Sequence, residues 1–326
     1  MPAIYFYKQL SLLETEVKSL NKKSPEQSLF HSQARNIFFR LEGLCRIYKR
    51  IANKSLFKLL QDEFKLFEDS LGRIDYYDTL YNDFIKVKGL PASFTGFFKD
   101  HLQHEYDQLS VLVKDIPVIS PSYIEVLKER VGSASWITDA DKERQAIGRV
   151  LIEYVDELTD EYKKGKYNFD ELESGLHEFR RKLRWISIYA AAVDGLIQLK
   201  KIPVVNSDLR SYQTDAIVNL PYNKLPEPSK DIKPIFIEAP DFYALSWMIQ
   251  ELGRLKDVGQ KWEAIDEVLK QNKAIKNIAL IKKSLRQSME LSPADVSAQA
   301  QIIVDDFIFK HGVLSRIKRS LYRSLQ

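Results

Sequence analysis

Cysteine is almost missing from this chain: Cys45 is the single one among 326 residues. That excludes an intramolecular disulfide and a multi-thiolate zinc site. Glycine and proline, 12 of each, are too sparse for a turn-rich β fold. No apolar run approaches the roughly 18 residues of a bilayer-spanning helix. The opening MPAIYFYKQLSLLETEVKSL has no basic-then-apolar leader pattern. With a lone cysteine and no leader, a cytoplasmic protein is the expectation. Charge of one sign is also scarce. The formal net charge is only +4, so a polyanionic partner must be argued from where the charges sit. The five histidines form no H-x₃-H or HExxH pair on one face. His101 and His104 are three apart on a predicted helix and read as a solvent-facing pair rather than metal ligands. No Walker loop, G-x-G-x-x-G or G-x-S-x-G appears. The expectation is a protein that is not an enzyme and carries no cofactor or metal.

What is present is helical. Hydrophobic residues make up 44% and charged residues 29%, an ordinary globular balance with apolar residues at helical spacing. The most informative stretch is Leu176–Leu199. Wound at about 3.6 residues per turn, it aligns Phe179, Leu183, Ile186, Ala190, Val193 and Ile197 as a core stripe. His177, Arg180, Arg181 and Arg184 fall on nearly the opposite side with no acid among them. Such a face is the ordinary solvated side of an amphipathic helix, or an anion-binding surface.

A second helix of this kind is predicted over about 25–53, starting at Ser24-Pro25-Glu26. Its core stripe is Ile37, Leu41, Leu44, Tyr48 and Ile51. Opposite run His31, Arg35, Arg46 and Lys49, interrupted by Phe39 and Glu42. Cys45 lies near the apolar side and reads as a buried, inert thiol. Further helices are expected over 3–22, in two or so segments over 56–87, after Pro91, over 121–131 and over 139–164 from a Thr138-Asp139 start. Lys163-Lys164-Gly165-Lys166 is a C-terminal stop, which divides the chain into halves 1–165 and 166–326. The segment 201–240 holds six of the twelve prolines. It reads as an irregular insertion over the surface, with Ala216–Leu220 and Ile235–Ile237 as extended runs. Helices resume from Asp241, then over about 258–272, 274–290 and, from Ser292-Pro293, 293–325. The basic RIKRSLYRSL at the C-terminus suits a helix end, with membrane-surface binding the weaker option.

Two features recur in the same order. A His/Arg-faced helix precedes Leu71-Gly72-Arg73-Ile74 in one half and Leu252-Gly253-Arg254-Leu255 in the other. The intervals, about 40 and about 75 residues, differ by about the length of the proline-rich segment, as a duplication with one insertion predicts.

The pattern resembles the CHAD domains (conserved histidine α-helical domain). In them each half opens with His-x-x-Arg followed by further Arg and Lys, and a later helix carries Leu-Gly before charged residues. His177, Arg180, Arg181, Lys182 and Arg184 occupy that pattern in the second half, with Asp257 at the family's acidic position. In the first half Arg35 and Arg40 match two basic positions and Asp78 an aspartate. Aligning Arg35 places Ser32 where the histidine belongs, with His31 one residue early. Trp185 and Ser187, and Phe39 and Glu42, stand where basic residues are usual.

The resemblance implies an all-α fold of two pseudo-symmetric four-helix bundles whose basic faces line a cavity that binds inorganic polyphosphate. The implied anion-binding set is His31, Arg35, Arg40, Arg46, Lys49, His177, Arg180, Arg181, Lys182 and Arg184. The missing basic positions imply a thinner lining. The Glu-x-Glu-x-Lys strand of the triphosphatase domain often fused to CHAD modules is missing. Inorganic polyphosphate or another phosphate-rich polyanion is therefore the expected partner. A helical scaffold that kept the fold and lost the ligand is the alternative.

Overall fold

The computed structural model describes residues 3–202, 207–229, 232–272 and 278–326. It is an all-α protein. In chain order the helices are α1 (Ile4–Ser19), α2 (Pro25–His31), α3 (Ala34–Ile51), α4 (Lys54–Phe84), α5 (Ala92–Asp115), α6 (Pro121–Gly132) and α7 (Ala140–Lys163). A π-helical turn at Leu172–His177 leads into α8 (Glu178–Ala192). Then come β1 (Ile197–Lys200), α9 (Asp215–Val218), β2 (Ile235–Glu238), α10 (Ala239–Gln271), α11 (Ile278–Ser288), α12 (Pro293–Asp305) and α13 (Val313–Leu325).

Local chemistry explains several boundaries. Asp139 caps α7 by accepting from the Lys142 amide at 2.8 Å. Ser292 and Asp295 form a reciprocal capping box on α12. Gly165, at φ +70°, ends α7 in the left-handed region. The helix expected over 25–53 is instead broken. The Ser32 hydroxyl donates to the Leu29 carbonyl at 2.7 Å and accepts from the Ala34 amide at 3.1 Å, which divides α2 from α3. The two segments expected over 56–87 are the single helix α4. Likewise α10 runs unbroken through 258. The helix through Leu199 stops at Ala192, because Asp194 and Gly195 both take positive φ and turn the chain into β1. Ile197 is buried as expected, but on a strand.

The segment 201–240 is less external than its prolines suggested. Ile235–Glu238 pairs in parallel with Ile197–Lys200. Leu209, Tyr212, Ile235 and Ile237 are buried in the main core. The run at Ala216–Leu220 is a helical turn rather than extended, because the Thr214 hydroxyl caps α9 at the Ile217 amide.

The boundary at 165 separates helices, not cores. The main core draws on α1, α3, α7, α8, α10, α12 and α13 together. A second, smaller core joins Leu80 and Phe84 of α4 and Phe94 and Phe98 of α5 to Ala264, Ile265 and Val268 of α10. The two long helices α4 and α10, one from each half, therefore meet at their C-terminal ends, while α3 and α8 pack on each other farther back.

Candidate anion-binding site

Contact between α3 and α8 organises the site. At Gly43 the helices come so close that a β-carbon would stand 3.1 Å from Ile188 Cγ2. One turn earlier on each helix, the Arg184 guanidinium lies over the face of Phe39, 3.9 Å from the ring centroid. Arg35 reaches the same ring from farther off, at 5.7 Å. The faces expected to be non-core are thus largely packed: Phe39, Glu42 and Trp185 are all buried.

From this contact two arginines diverge onto the two long helices. Arg35 lies over Gly72 of α4, its Nη2 2.8 Å from where a β-carbon would be. Arg180 lies over Gly253 of α10 in the same manner, with Nε and Nη2 each at 3.1 Å. A β-carbon at either place would meet the guanidinium, so a side chain there would shift the arginine from its seat. Arg180 Nε donates to the Ile249 carbonyl at 3.0 Å.

Arg35, Arg180 and Arg184 are half-buried and feel one another. Burial, then repulsion from Arg180 and Arg35, pushes the Arg184 guanidinium down to about 10, with Glu68 opposing. Burial also lowers Arg180, opposed by Asp257 and Tyr222 and reinforced by Arg35. Arg180 and Arg184 remain charged at neutral pH.

Their compensation differs. Arg35 is paired twice, with Glu68 through Nη2 at 3.3 Å and with Asp75 through Nη1 at 2.7 Å. Among the described residues, neither Arg180 nor Arg184 makes an ion pair within 4.0 Å.

The remaining seven candidates do not join this group. Arg46 is held by Glu42 at 2.8 Å and stacked on Trp185 at 4.0 Å. Lys49 donates to Gln61 at 2.7 Å. Arg40 points away from Arg35 around α3, where burial lowers its pKa and Asp194 opposes. Arg181 is bonded to Glu178. Lys182 faces Glu161 at 3.6 Å. His177 meets Glu173 at 2.8 Å through Nδ1. His31 is exposed beside the Phe30 ring, at the end of α2 rather than on α3. The continuous basic lining implied by the resemblance is therefore reduced to a three-arginine cluster. Its acidic partner in the first half is Asp75, not Asp78, whose charge falls on Tyr106.

Sequence reasoning missed three contributors. Glu68 and Phe39 carry no motif. Tyr222 comes from the proline-rich segment, 63% exposed, and its hydroxyl is felt by both Arg180 and Arg184. The neighbouring Asn223 fixes that turn by donating to the Ile217 carbonyl at 2.7 Å and accepting from Ser246 of α10 at 2.6 Å.

No family model, curated protein or solved structure matches the chain. Two adjacent half-buried guanidiniums with donors to spare can take a phosphate oxygen pair in bidentate fashion. Among the described residues, no group of three His, Cys, Asp or Glu side chains could hold a metal ion. No described helix is long and apolar enough to cross a membrane. An open groove of 590 Å³ lies elsewhere, between α7 and α13.

Proposed function

We propose that this protein binds a phosphate-rich polyanion, with inorganic polyphosphate the leading candidate, at Arg180 and Arg184 assisted by Arg35. One observation carries the reading. Arg180 and Arg184 are adjacent, half-buried and without carboxylate partners among the described residues. Two cations so placed repel each other and lose hydration, and an incoming anion relieves both costs. The polymeric phosphate class comes from the resemblance to CHAD domains. So does the duplication, which is supported by Arg35 over Gly72 and Arg180 over Gly253. It is also supported by the direct contact of Phe39 with Arg184 and of Gly43 with Ile188, since these are corresponding positions when Arg35 is aligned with Arg180. On this reading the protein is a binding module rather than an enzyme, and a cytoplasmic setting is part of the proposal.

A helical scaffold without a ligand is the second reading. It is favoured by the acids that occupy Arg35, Arg46, Arg181 and Lys182. The double variant Arg180→Ala with Arg184→Ala separates the two. Both positions lie in α8, where Ala is a good helix former. If the folded variant loses most affinity for long-chain polyphosphate, the site is right. Undiminished binding by that variant would remove Arg180 and Arg184 from the account.

A further inference from the structure

Glu68 sits against the arginine cluster. It lies one turn before Gly72 on α4, with its side chain 12% exposed. Its Oε1 accepts from both Nε and Nη2 of Arg35 at 3.3 Å, and its charge reaches Arg184 as well. Asp75 takes the outer end of Arg35 but is 55% exposed. The cluster therefore carries one carboxylate inside and one at its rim.

We propose that Glu68 is a built-in competitor for the arginine cluster, whose carboxylate holds Arg35 until a more highly charged anion displaces or neutralises it. This inference rests on the proposed anion-binding function. It makes Glu68 the residue that sets affinity and the charge density a ligand must carry. A weakly charged ester gains little over the carboxylate already present, whereas a chain with about one negative charge per phosphate outcompetes it.

The groups around Glu68 give the competition a pH dependence. Burial raises the Glu68 carboxyl above its ordinary range. Arg35 and Arg184 oppose this, and Asp69 and Glu42 reinforce it. Asp75 shares Arg35 with it, and Arg180, Tyr222 and Asp257 complete the charged surroundings. A carboxyl with a raised pKa is neutralised earlier as pH falls, and an arriving phosphate raises it further. Binding should tighten toward mildly acidic pH and take up a proton at Glu68. His177 is turned to Glu173 through Nδ1, and His31 is exposed at the end of α2.

The test is a calorimetric titration with inorganic polyphosphate at low salt, at pH 7.5 and 5.5. It compares the wild type, Glu68→Gln and, as the rim control, Asp75→Asn. Glu68→Gln should bind about five- to tenfold tighter at pH 7.5 and lose the acid tightening, with Asp75→Asn changing less. Equal or weaker binding by a folded Glu68→Gln, while the wild type binds, overturns the competitor role and leaves the site intact. Binding by Glu68→Gln alone supports it. No binding by either protein overturns the functional reading and this inference together. Should Glu68→Gln fail to fold, Glu68→Asp, whose shorter side chain draws the carboxylate back from Arg35, takes its place in the same titration. Tighter binding than the wild type at pH 7.5 supports the role, and equal or weaker binding overturns it.

Discussion

Arg180 lies flat on Gly253, its Nε and Nη2 each 3.1 Å from the place of a β-carbon. The glycine is a seat for the guanidinium, and its value to the site differs from its value to the helix. Gly253→Ala adds helix propensity of up to about 1 kcal/mol and displaces only the flexible end of Arg180. Chemical denaturation should therefore show unchanged or slightly higher stability, while polyphosphate affinity falls several-fold. A fall in stability with affinity intact would reverse the assignment.

At Gly43 the effect should be the opposite. A β-carbon there would already stand 3.1 Å from Ile188 and 3.5 Å from Tyr189. Gly43→Val adds further methyls between α3 and α8 and should cost about 1–3 kcal/mol by overpacking. Urea unfolding measures this. Loss of anion binding should accompany it, because the Arg184–Phe39 contact lies one turn away.

Arg46, on the same face of α3, is expected to be structural. Glu42 is 2% exposed and depends on Arg46 for its compensation. Arg46→Met leaves a buried carboxylate beside Gln61 and should cost about 2–3 kcal/mol. Polyphosphate affinity, measured below the melting temperature, should stay within about twofold.

Glu143 supplies a pH signature of folding. It accepts from the Tyr48 hydroxyl at 2.6 Å, and burial raises its carboxyl while that bond opposes. A carboxyl whose folded pKa is raised contributes stability below its unfolded pKa of about 4.3, and that contribution is lost as pH rises through the folded value. Glu143→Gln should therefore gain stability over the wild type at pH 7, and the gain should vanish below about pH 4. Parallel stability curves for the two proteins would show that Glu143 does not titrate this way.

The sequence announced what depends on local spacing. The stripe of Phe179, Leu183, Ile186 and Ala190 is buried as its period required, and Asp139 and Ser292 start helices because their side chains reach amides three residues ahead. The order of basic helix and Leu-Gly-Arg was also legible, and in space it becomes an arginine lying on a glycine. Pairings over long sequence distances were not legible. Nothing local to Arg35 reveals that Glu68 and Asp75 will hold it, because α4 folds back on α3 only in the tertiary structure. Nor could periodicity place Tyr222, whose turn is fixed by hydrogen bonds of Asn223 to Ile217 and Ser246. The break at Ser32 turned on one hydroxyl bonding to the backbone, and it removed His31 from the helix that carries Arg35.

Whether an anion completes the arginine cluster is decided by titrating the unmodified protein with long-chain inorganic polyphosphate over a series of salt concentrations. With three arginines engaged, the logarithm of the binding constant should fall linearly with the logarithm of salt, with a slope of roughly −2 to −3. No binding at the lowest salt, or binding indifferent to salt, would contradict the account.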